Sequence, residues 1–93
     1  MPIHAPNLKV IDQNLEAMGN KDFENGFPFP SLETIGGDMN IAYTGLPMFP
    51  KSIKKVGGNV VISDQEPYSL VVELKAAKRE GIIHGNIFCI ITP

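Results

Sequence analysis

The side chains that could bind a metal ion or act as nucleophiles are few in this sequence. His4, His84 and Cys89 are the only histidines and the only cysteine in the chain. None is paired with another at the i+3, i+4 or Cys-x-x-Cys spacings typical of a zinc site, which needs three or four ligands brought together. His84 and Cys89 lie five positions apart, across a predicted turn into a strand, and would face different sides. We therefore expect no metal, no cofactor and no catalytic thiol, and we interpret Cys89 as a buried, unreactive side chain.

The acidic residues that could act as general acids or bases lie at predicted turns. Asp12, Asp38 and Asp64 are spread along the chain, one to each predicted repeat. An aspartate at a turn commonly accepts hydrogen bonds from nearby backbone N–H groups, and that role explains these positions. An active site instead requires several polar groups that converge in one pocket. The sequence therefore predicts that the protein is not an enzyme.

The charge distribution disfavours nucleic acids and membrane surfaces as partners. Ten acidic and eight basic residues give a net charge of −2, which is too small to favour either by bulk attraction. Neither of the two basic clusters contains interleaved aromatic residues, so we interpret both as solvated surface rather than as a nucleic-acid-binding stripe. These clusters are Lys51, Lys54 and Lys55, and Lys75, Lys78 and Arg79.

The location predicted for the protein is the cytoplasm. The longest apolar run, residues 87–91, is far shorter than the ~20 residues that span a bilayer. The first residues, Met-Pro-Ile-His-Ala-Pro, lack the basic and apolar segments of a signal peptide. A single cysteine cannot form an intrachain disulfide, so nothing indicates an oxidising compartment.

A short sequence that occurs twice sets the organisation of the chain. Residues 32–41 read Leu-Glu-Thr-Ile-Gly-Gly-Asp-Met-Asn-Ile, and residues 53–62 read Ile-Lys-Lys-Val-Gly-Gly-Asn-Val-Val-Ile. Weaker copies surround Ile11 and Ile83. A repeat of this length is typical of a solenoid, in which stacked units bury a face that no single unit could bury. The anchor positions of the four copies are Ile11, Ile35, Val56 and Ile83, spaced 24, 21 and 27 residues apart.

Each copy predicts a turn followed by a strand. The paired glycines permit a tight turn with positive φ and a close approach of neighbouring backbones. The Asp or Asn that follows can bind backbone groups at the turn, and these side chains would form a ladder if the copies stack in register. The predicted structural turn residues are Gly36, Gly37, Asp38, Gly57, Gly58 and Asn59, and the ladder adds Asn14 and Asn86.

The predicted strands alternate between core-facing and outward-facing side chains. This alternation assigns one set of positions to the core and another to the outer face of a sheet. The predicted core-facing positions are Leu15, Ala17, Met39, Ile41, Val60, Ile62, Ile87 and Cys89. The predicted outward positions are Glu16, Asn40, Val61 and Phe88.

One helix is predicted near residues 67–80. Its apolar residues recur at helical spacing, opposite charged residues on the other side. Asp64 or Glu66 is placed to cap its start, Pro67 suits its first turn, and Gly81 suits its end. The apolar positions of this helix are Leu70, Val71, Leu74 and Ala77.

The Gly-Gly sequence resembles leucine-rich-repeat proteins, and it is closest to the irregular bacterial, phage and receptor-L-domain-like variants. Those variants repeat the pattern Leu-x-x-Ile-Gly-Gly-Asn-Leu-x-Ile. The resemblance implies an α/β fold, a single domain over residues 1–93, built as a short solenoid with a parallel sheet of about four strands. It also implies a protein-binding role, by fold-level analogy. The residues that carry it are Leu32, Ile35, Gly36, Gly37, Asp38, Met39 and Ile41, then Ile53, Val56, Gly57, Gly58, Asn59, Val60 and Ile62.

The last predicted strand, residues 87–91, is apolar on both faces, unlike the earlier strands. As the final strand of a parallel sheet it would have an open edge, and no polar capping repeat follows it. A helix packed over the strand could cover only one of its faces. We therefore expect a homodimer or partner contact through Phe88, Ile90 and the neighbouring Val61.

Two functional hypotheses follow from these observations. The first is a non-enzymatic protein–protein interaction module that presents a sheet face and the terminal strand to a partner or to itself. The alternative is a small stand-alone inhibitor, of the phage or mobile-element type, that blocks a host defence complex by surface binding. Gene neighbourhood would separate the two. The predicted partner-binding residues are Glu16, Asn40, Val61, Phe88 and Ile90.

Overall fold

Two parallel β-sheets and one α-helix form the part of the chain that the computed structural model describes, residues 7–92. The first sheet has three strands in the order β1-β3-β5, and the second has four in the order β2-β4-β6-β7. The short strands of the first sheet are β1 (Val10–Ile11), β3 (Thr34–Ile35) and β5 (Lys55–Val56). Those of the second are β2 (Leu15–Glu16), β4 (Met39–Asn40), β6 (Val60–Ser63) and β7 (Ile87–Ile90).

The small α/β domain thus contains the predicted four-stranded parallel sheet and a second sheet that the repeat pattern does not predict. The repeat pattern assigns no strand to the anchor residues Ile11, Ile35 and Val56. They contribute to the core and also pair with one another in parallel, and Val56 forms a further bridge to Ile83. No turn glycines precede these three strands, as they do β4 and β6, so the repeat pattern gives no signal for this sheet.

The strand register follows the sequence repeat. In the second sheet Leu15 lies opposite Met39, Met39 opposite Val60, and Val60 opposite Ile87. Each pair is separated by the same number of residues as the corresponding anchor positions, because turn and strand keep a constant offset within each copy. All four copies, including the two weak ones, therefore lie side by side in parallel.

Most of the predicted core-facing residues are buried, whereas two at the end of the chain are not. Ile87 is only half-buried and Cys89 is exposed, so the prediction of a buried thiol is wrong. Cys89 lies opposite the buried Ile62 on the same face, but within residues 7–92 β7 is an edge strand and α1 covers that face only in part. The buried members are Leu15, Ala17, Met39, Ile41, Val60 and Ile62.

The helix α1 spans Tyr68–Arg79 and lies within the predicted range. Its buried side packs into the core through Leu70, Leu74 and Ala77, as the helical spacing predicts. The end of α1 is a Schellman turn, in which Ile82 N–H donates to Ala77 C=O across Gly81 at φ +85°.

The start of α1 differs from the prediction. Pro67 occupies the N-cap position, and no side chain there accepts a hydrogen bond from the first turn of the helix. The expectation that Asp64 or Glu66 caps the helix is therefore wrong, because both carboxylates bind other parts of the chain.

A shorter 3-10 helix, Lys21–Asn25, lies in the connection between β2 and β3. Within residues 7–92 no helix combines the length and apolar composition that crossing a membrane requires.

Candidate functional site

The Asp and Asn side chains at the turns form the predicted ladder. Asn14 Oδ1 accepts a hydrogen bond from Asp38 N–H at 2.8 Å, and Asp38 Oδ1 accepts one from Asn59 N–H at 2.8 Å. Asn59 Oδ1 accepts the next from Asn86 N–H at 2.9 Å. Each copy thus binds the backbone of the following copy, which supports a structural role for Asp38 and Asn59.

The glycine pairs allow neighbouring turns to approach closely. A Cβ atom at Gly37 would overlap Asn14 Oδ1, and one at Gly58 would overlap Asp38 Oδ1. Gly36 and Gly57 have a similar constraint, because a Cβ there would overlap the carbonyl oxygen of the preceding turn. None of these four has a positive φ, so that part of the prediction is wrong and close backbone approach alone explains the glycines.

Four predicted partner-binding residues form one row across the second sheet, which we call the outer row. Glu16 lies opposite Asn40, Asn40 opposite Val61, and Val61 opposite Phe88. Glu16 is exposed, Asn40 and Val61 are half-buried, and Phe88 retains 50% of its surface in solvent. Ile90 is two residues beyond Phe88 on the same face and is half-buried. The structure therefore places all five predicted residues on one face, with the apolar ones at its end.

Strand β7 also has an open backbone edge. Among the described residues it pairs only with β6. The carbonyl groups of Asn86 and Ile90 accept hydrogen bonds from Val60 and Asp64 N–H at 2.9 and 3.0 Å. Because backbone groups alternate along a strand, the N–H and C=O groups of Ile87 and Cys89 point toward the opposite, open edge.

The inner face of β7 is only partly covered by α1. A groove of about 460 Å³ lies between them, with Ile62, Val71, Ile87 and Cys89 among its apolar lining and Lys75 among its charged residues. A helix over this strand is expected to cover one of its two faces, but α1 covers that face only in part, so both faces of β7 are accessible to solvent.

A second cleft, of about 270 Å³, lies between α1 and the connection from β4 to β5 (residues 41–54). Phe49, Ile53 and Ile82 form part of its lining. The carboxylate of Glu73 at this cleft accepts a hydrogen bond from Phe49 N–H at 2.8 Å, and so fastens the connection to the helix. This contact gives Glu73 a structural role.

Glu66 is a central polar residue that no sequence pattern reveals. Its carboxylate accepts hydrogen bonds from the backbone N–H groups of Tyr43, Thr44, Gly45 and Ser63, and from the Ser63 hydroxyl. Partial burial by itself would raise the pKa of Glu66, but these hydrogen bonds outweigh it and lower the pKa below the ordinary value of 4.5. Tyr43 adopts a positive φ of 60° in the turn that Glu66 binds. The donors lie up to 23 residues away, and no local pattern indicates them.

Asp64 fastens the residue that follows β7. Its carboxylate accepts hydrogen bonds from the Thr92 hydroxyl at 2.6 Å and from Thr92 N–H at 3.1 Å. The Thr92 hydroxyl bond, followed by the backbone bond, lowers the pKa of Asp64. Tyr43 Oη lies 3.1 Å from the same hydroxyl. The end of β7 is thus held in place although its edge and faces are open.

The histidines, the cysteine and the turn aspartates occupy separate settings. His84 and Cys89 are exposed, and His4 lies outside the described residues. Across residues 7–92 no group of three or more His, Cys, Asp or Glu side chains is arranged to hold a metal ion. Asp38 and Asp64 accept the structural hydrogen bonds described above, while Asp12 is exposed at the first turn.

All six residues of the two basic clusters are exposed. One of them, Lys78, uses its ammonium group to bind the carbonyl oxygen of Gly85, just before β7. This contact places a positive charge at the start of the terminal strand.

Comparisons of the chain with protein-family models, with curated proteins and with solved structures found no match. Strand β7 and the outer row are therefore the features of the molecule that bear on its function.

Proposed function

We propose that the protein is a non-enzymatic protein-interaction module, which presents the outer row and strand β7 to a protein partner or to a second copy of itself. The observation that carries this proposal is that strand β7 is exposed at its backbone edge and on both of its faces. Its backbone edge is open, Phe88 is half-exposed on one face, and Cys89 is exposed on the other. An open strand edge with adjoining apolar side chains is a common site of protein association.

The proposed architecture is a short solenoid of the leucine-rich-repeat type. Parallel pairing at the spacing of the sequence repeat supports this interpretation, as does the ladder that joins Asn14, Asp38, Asn59 and Asn86. Repeat proteins of this kind generally use the exposed sheet surface for binding. The outer row would occupy that surface here.

Binding is favoured over catalysis by the roles of the polar side chains. The carboxylates of Asp38, Asp64, Glu66 and Glu73 all accept hydrogen bonds that hold the fold together. Such engagement leaves them poorly suited to exchange protons with a substrate. The proposed setting is the cytoplasm, where an exposed Cys89 would remain a free thiol.

The variant Phe88→Asp tests the proposed function. A charge at this position should oppose association with an apolar surface, so we expect reduced self-association by sedimentation or reduced capture of a partner in a pull-down. Met48→Asp is a matched control, because Met48 is 48% exposed and lies outside the outer row and β7. The proposal fails if Phe88→Asp leaves both the sedimentation profile and the captured proteins unchanged.

A further inference from the structure

The first turn of the chain limits how a second copy could meet β7. Gln13 occupies the position that Gly37, Gly58 and Gly85 occupy in the later copies. A Cβ at each of those glycines would overlap the side-chain oxygen of the copy before it. If the first strands of another molecule continued the sheet beyond β7, the Cβ of Gln13 would overlap Asn86 Oδ1 in the same way. Head-to-tail stacking is therefore disfavoured.

Antiparallel pairing of β7 with itself has no such obstacle. The open edge offers the N–H and C=O groups of Ile87 and Cys89, and a two-fold axis would supply the same groups from the partner. If the two-fold axis passes beside Cys89, Ile87 of one copy lies opposite Ile91 of the partner subunit, and Phe88 lies opposite Ile90 of the partner subunit. Every residue of the run 87–91 would then lie opposite an apolar residue, and like charges would not meet across the strands.

The charges beside β7 complement one another only in the antiparallel sense. Lys78 binds the carbonyl oxygen of Gly85 before the strand, and Asp64 binds Thr92 after it. Antiparallel pairing brings the basic end of one strand to the acidic end of the other, and the two-fold axis repeats this contact. Charge pairs of this kind add little affinity at an exposed position, but they select orientation.

We propose that the partner of β7 is a second copy of the chain, paired antiparallel about Cys89, with Lys78 beside Asp64 of the partner subunit at both ends. The two four-stranded sheets would join into one continuous sheet. This inference rests on the proposed function, since it names the occupant of the same strand. It also assigns the register and the orientation.

The native cysteine reports the register directly. Wild-type protein should sediment as a concentration-dependent dimer, and a short bismaleimide should link it into a covalent dimer. Because Cys89 is the only cysteine, that product must join the two equivalent residues. A chain that remains monomeric at the highest soluble concentration would overturn the self-pairing, and so would a dimer that the reagent fails to link.

A charge exchange tests the orientation. Lys78→Glu and Asp64→Lys should each weaken dimerisation roughly tenfold, since each places like charges together at both ends. The double variant should return to near the wild-type dissociation constant, and Arg79→Glu, on the adjacent helical position, should change it little. Circular dichroism would verify that each variant is folded. A double variant no tighter than the single ones would overturn the antiparallel arrangement.

The outcomes also separate this inference from the proposed function. A strictly monomeric protein that still loses a captured partner on Phe88→Asp would overturn the self-pairing and leave the interaction module intact. A dimer that is unaffected by Phe88→Asp, Lys78→Glu and Asp64→Lys would overturn the self-pairing, because β7 could not then be its interface. It would contradict the proposed function as well if Phe88→Asp also left the captured proteins unchanged.

Discussion

Glu66 joins three parts of the structure through one side chain. Its carboxylate binds the backbone of residues 43–45 and of Ser63, and it lies two residues before α1. A turn that contains a non-glycine residue at positive φ, here Tyr43, needs such external support because that conformation is unfavourable for most side chains. Glu66 therefore acts as the polar support of this turn.

The variant Glu66→Gln should destabilise the protein by about 1–2 kcal/mol. An amide retains one acceptor oxygen and places an NH₂ group against N–H donors, so several of the present hydrogen bonds cannot form. Urea unfolding followed by circular dichroism would measure the change. Glu80→Gln, at an exposed position, is the control and should stay within about 0.5 kcal/mol of wild type. Equal stability of the two variants would contradict the role of Glu66.

The lowered pKa of the Glu66 carboxylate predicts how the stability of the protein depends on pH. Folding lowers the pKa of Glu66 from 4.5 and also lowers that of Asp64 from 3.8. A group whose pKa is depressed in the folded state stabilises the fold above its unfolded pKa, and this contribution is lost as pH falls through the folded pKa. The free energy of unfolding should therefore be level near neutral pH and fall below about pH 5. Urea titrations across this range should show a shallower fall for Glu66→Gln, and an identical slope would exclude Glu66 as a contributor.

At the scale of the elements, the turn glycines govern the stacking of the second sheet. A Cβ at Gly58 would overlap Asp38 Oδ1 and lie 2.9 Å from the carbonyl carbon of Gly37. The first of these atoms could move, but only by giving up its hydrogen bond to Asn59 N–H. The carbonyl carbon of Gly37 belongs to the backbone of the preceding turn and cannot move without displacing that turn.

The variant Gly58→Ala should therefore cost about 2–3 kcal/mol, which combines a steric clash with a lost ladder bond. Thermal or urea unfolding would measure this loss. Gln13→Ala provides the matched control, because position 13 belongs to the first turn and no earlier turn lies against it within residues 7–92. The control should be close to neutral. A neutral Gly58→Ala would show that the turns can separate without cost.

The elements also show where sequence reasoning succeeds and where it stops. Alternation, glycine pairs and helical spacing locate the four-stranded sheet, the ladder and α1, because each is a local signal with its own period. Cys89 fits the inward alternation and is nevertheless exposed, since its burial depends on how far α1 reaches across β7. The residues that bind Glu66 are beyond prediction for the same reason: the contact exists only after distant segments pack.

For the molecule as a whole, the two ends of the second sheet are unlike. Leu15, in the first strand, is 8% exposed, whereas Ile87, at the equivalent position of the last strand, is half-buried. At the first end Gln13 carries a side chain where later turns require glycine. At the last end Asn86 repeats the ladder position, and β7 keeps an open edge. Binding is therefore expected at the edge of the second sheet that β7 forms.

Hydrogen exchange of one row of amides should display this asymmetry. The N–H groups of Leu15, Met39 and Val60 each donate to a carbonyl of the following copy, at 2.8 to 2.9 Å. Ile87 holds the fourth position of that row, and its N–H points toward the open edge. In dilute protein we expect the Ile87 amide to exchange at least about a hundredfold faster than that of Val60.

Raising the protein concentration should slow exchange at Ile87 by a larger factor than at Val60, because only the edge amide gains a hydrogen-bond partner on association. Residue-resolved exchange by NMR would follow both amides in one sample, with Val60 as the internal control. An Ile87 amide as slow as that of Val60 in dilute protein would mean that the edge of β7 is already covered within the single chain. The surface proposed for binding would then be closed.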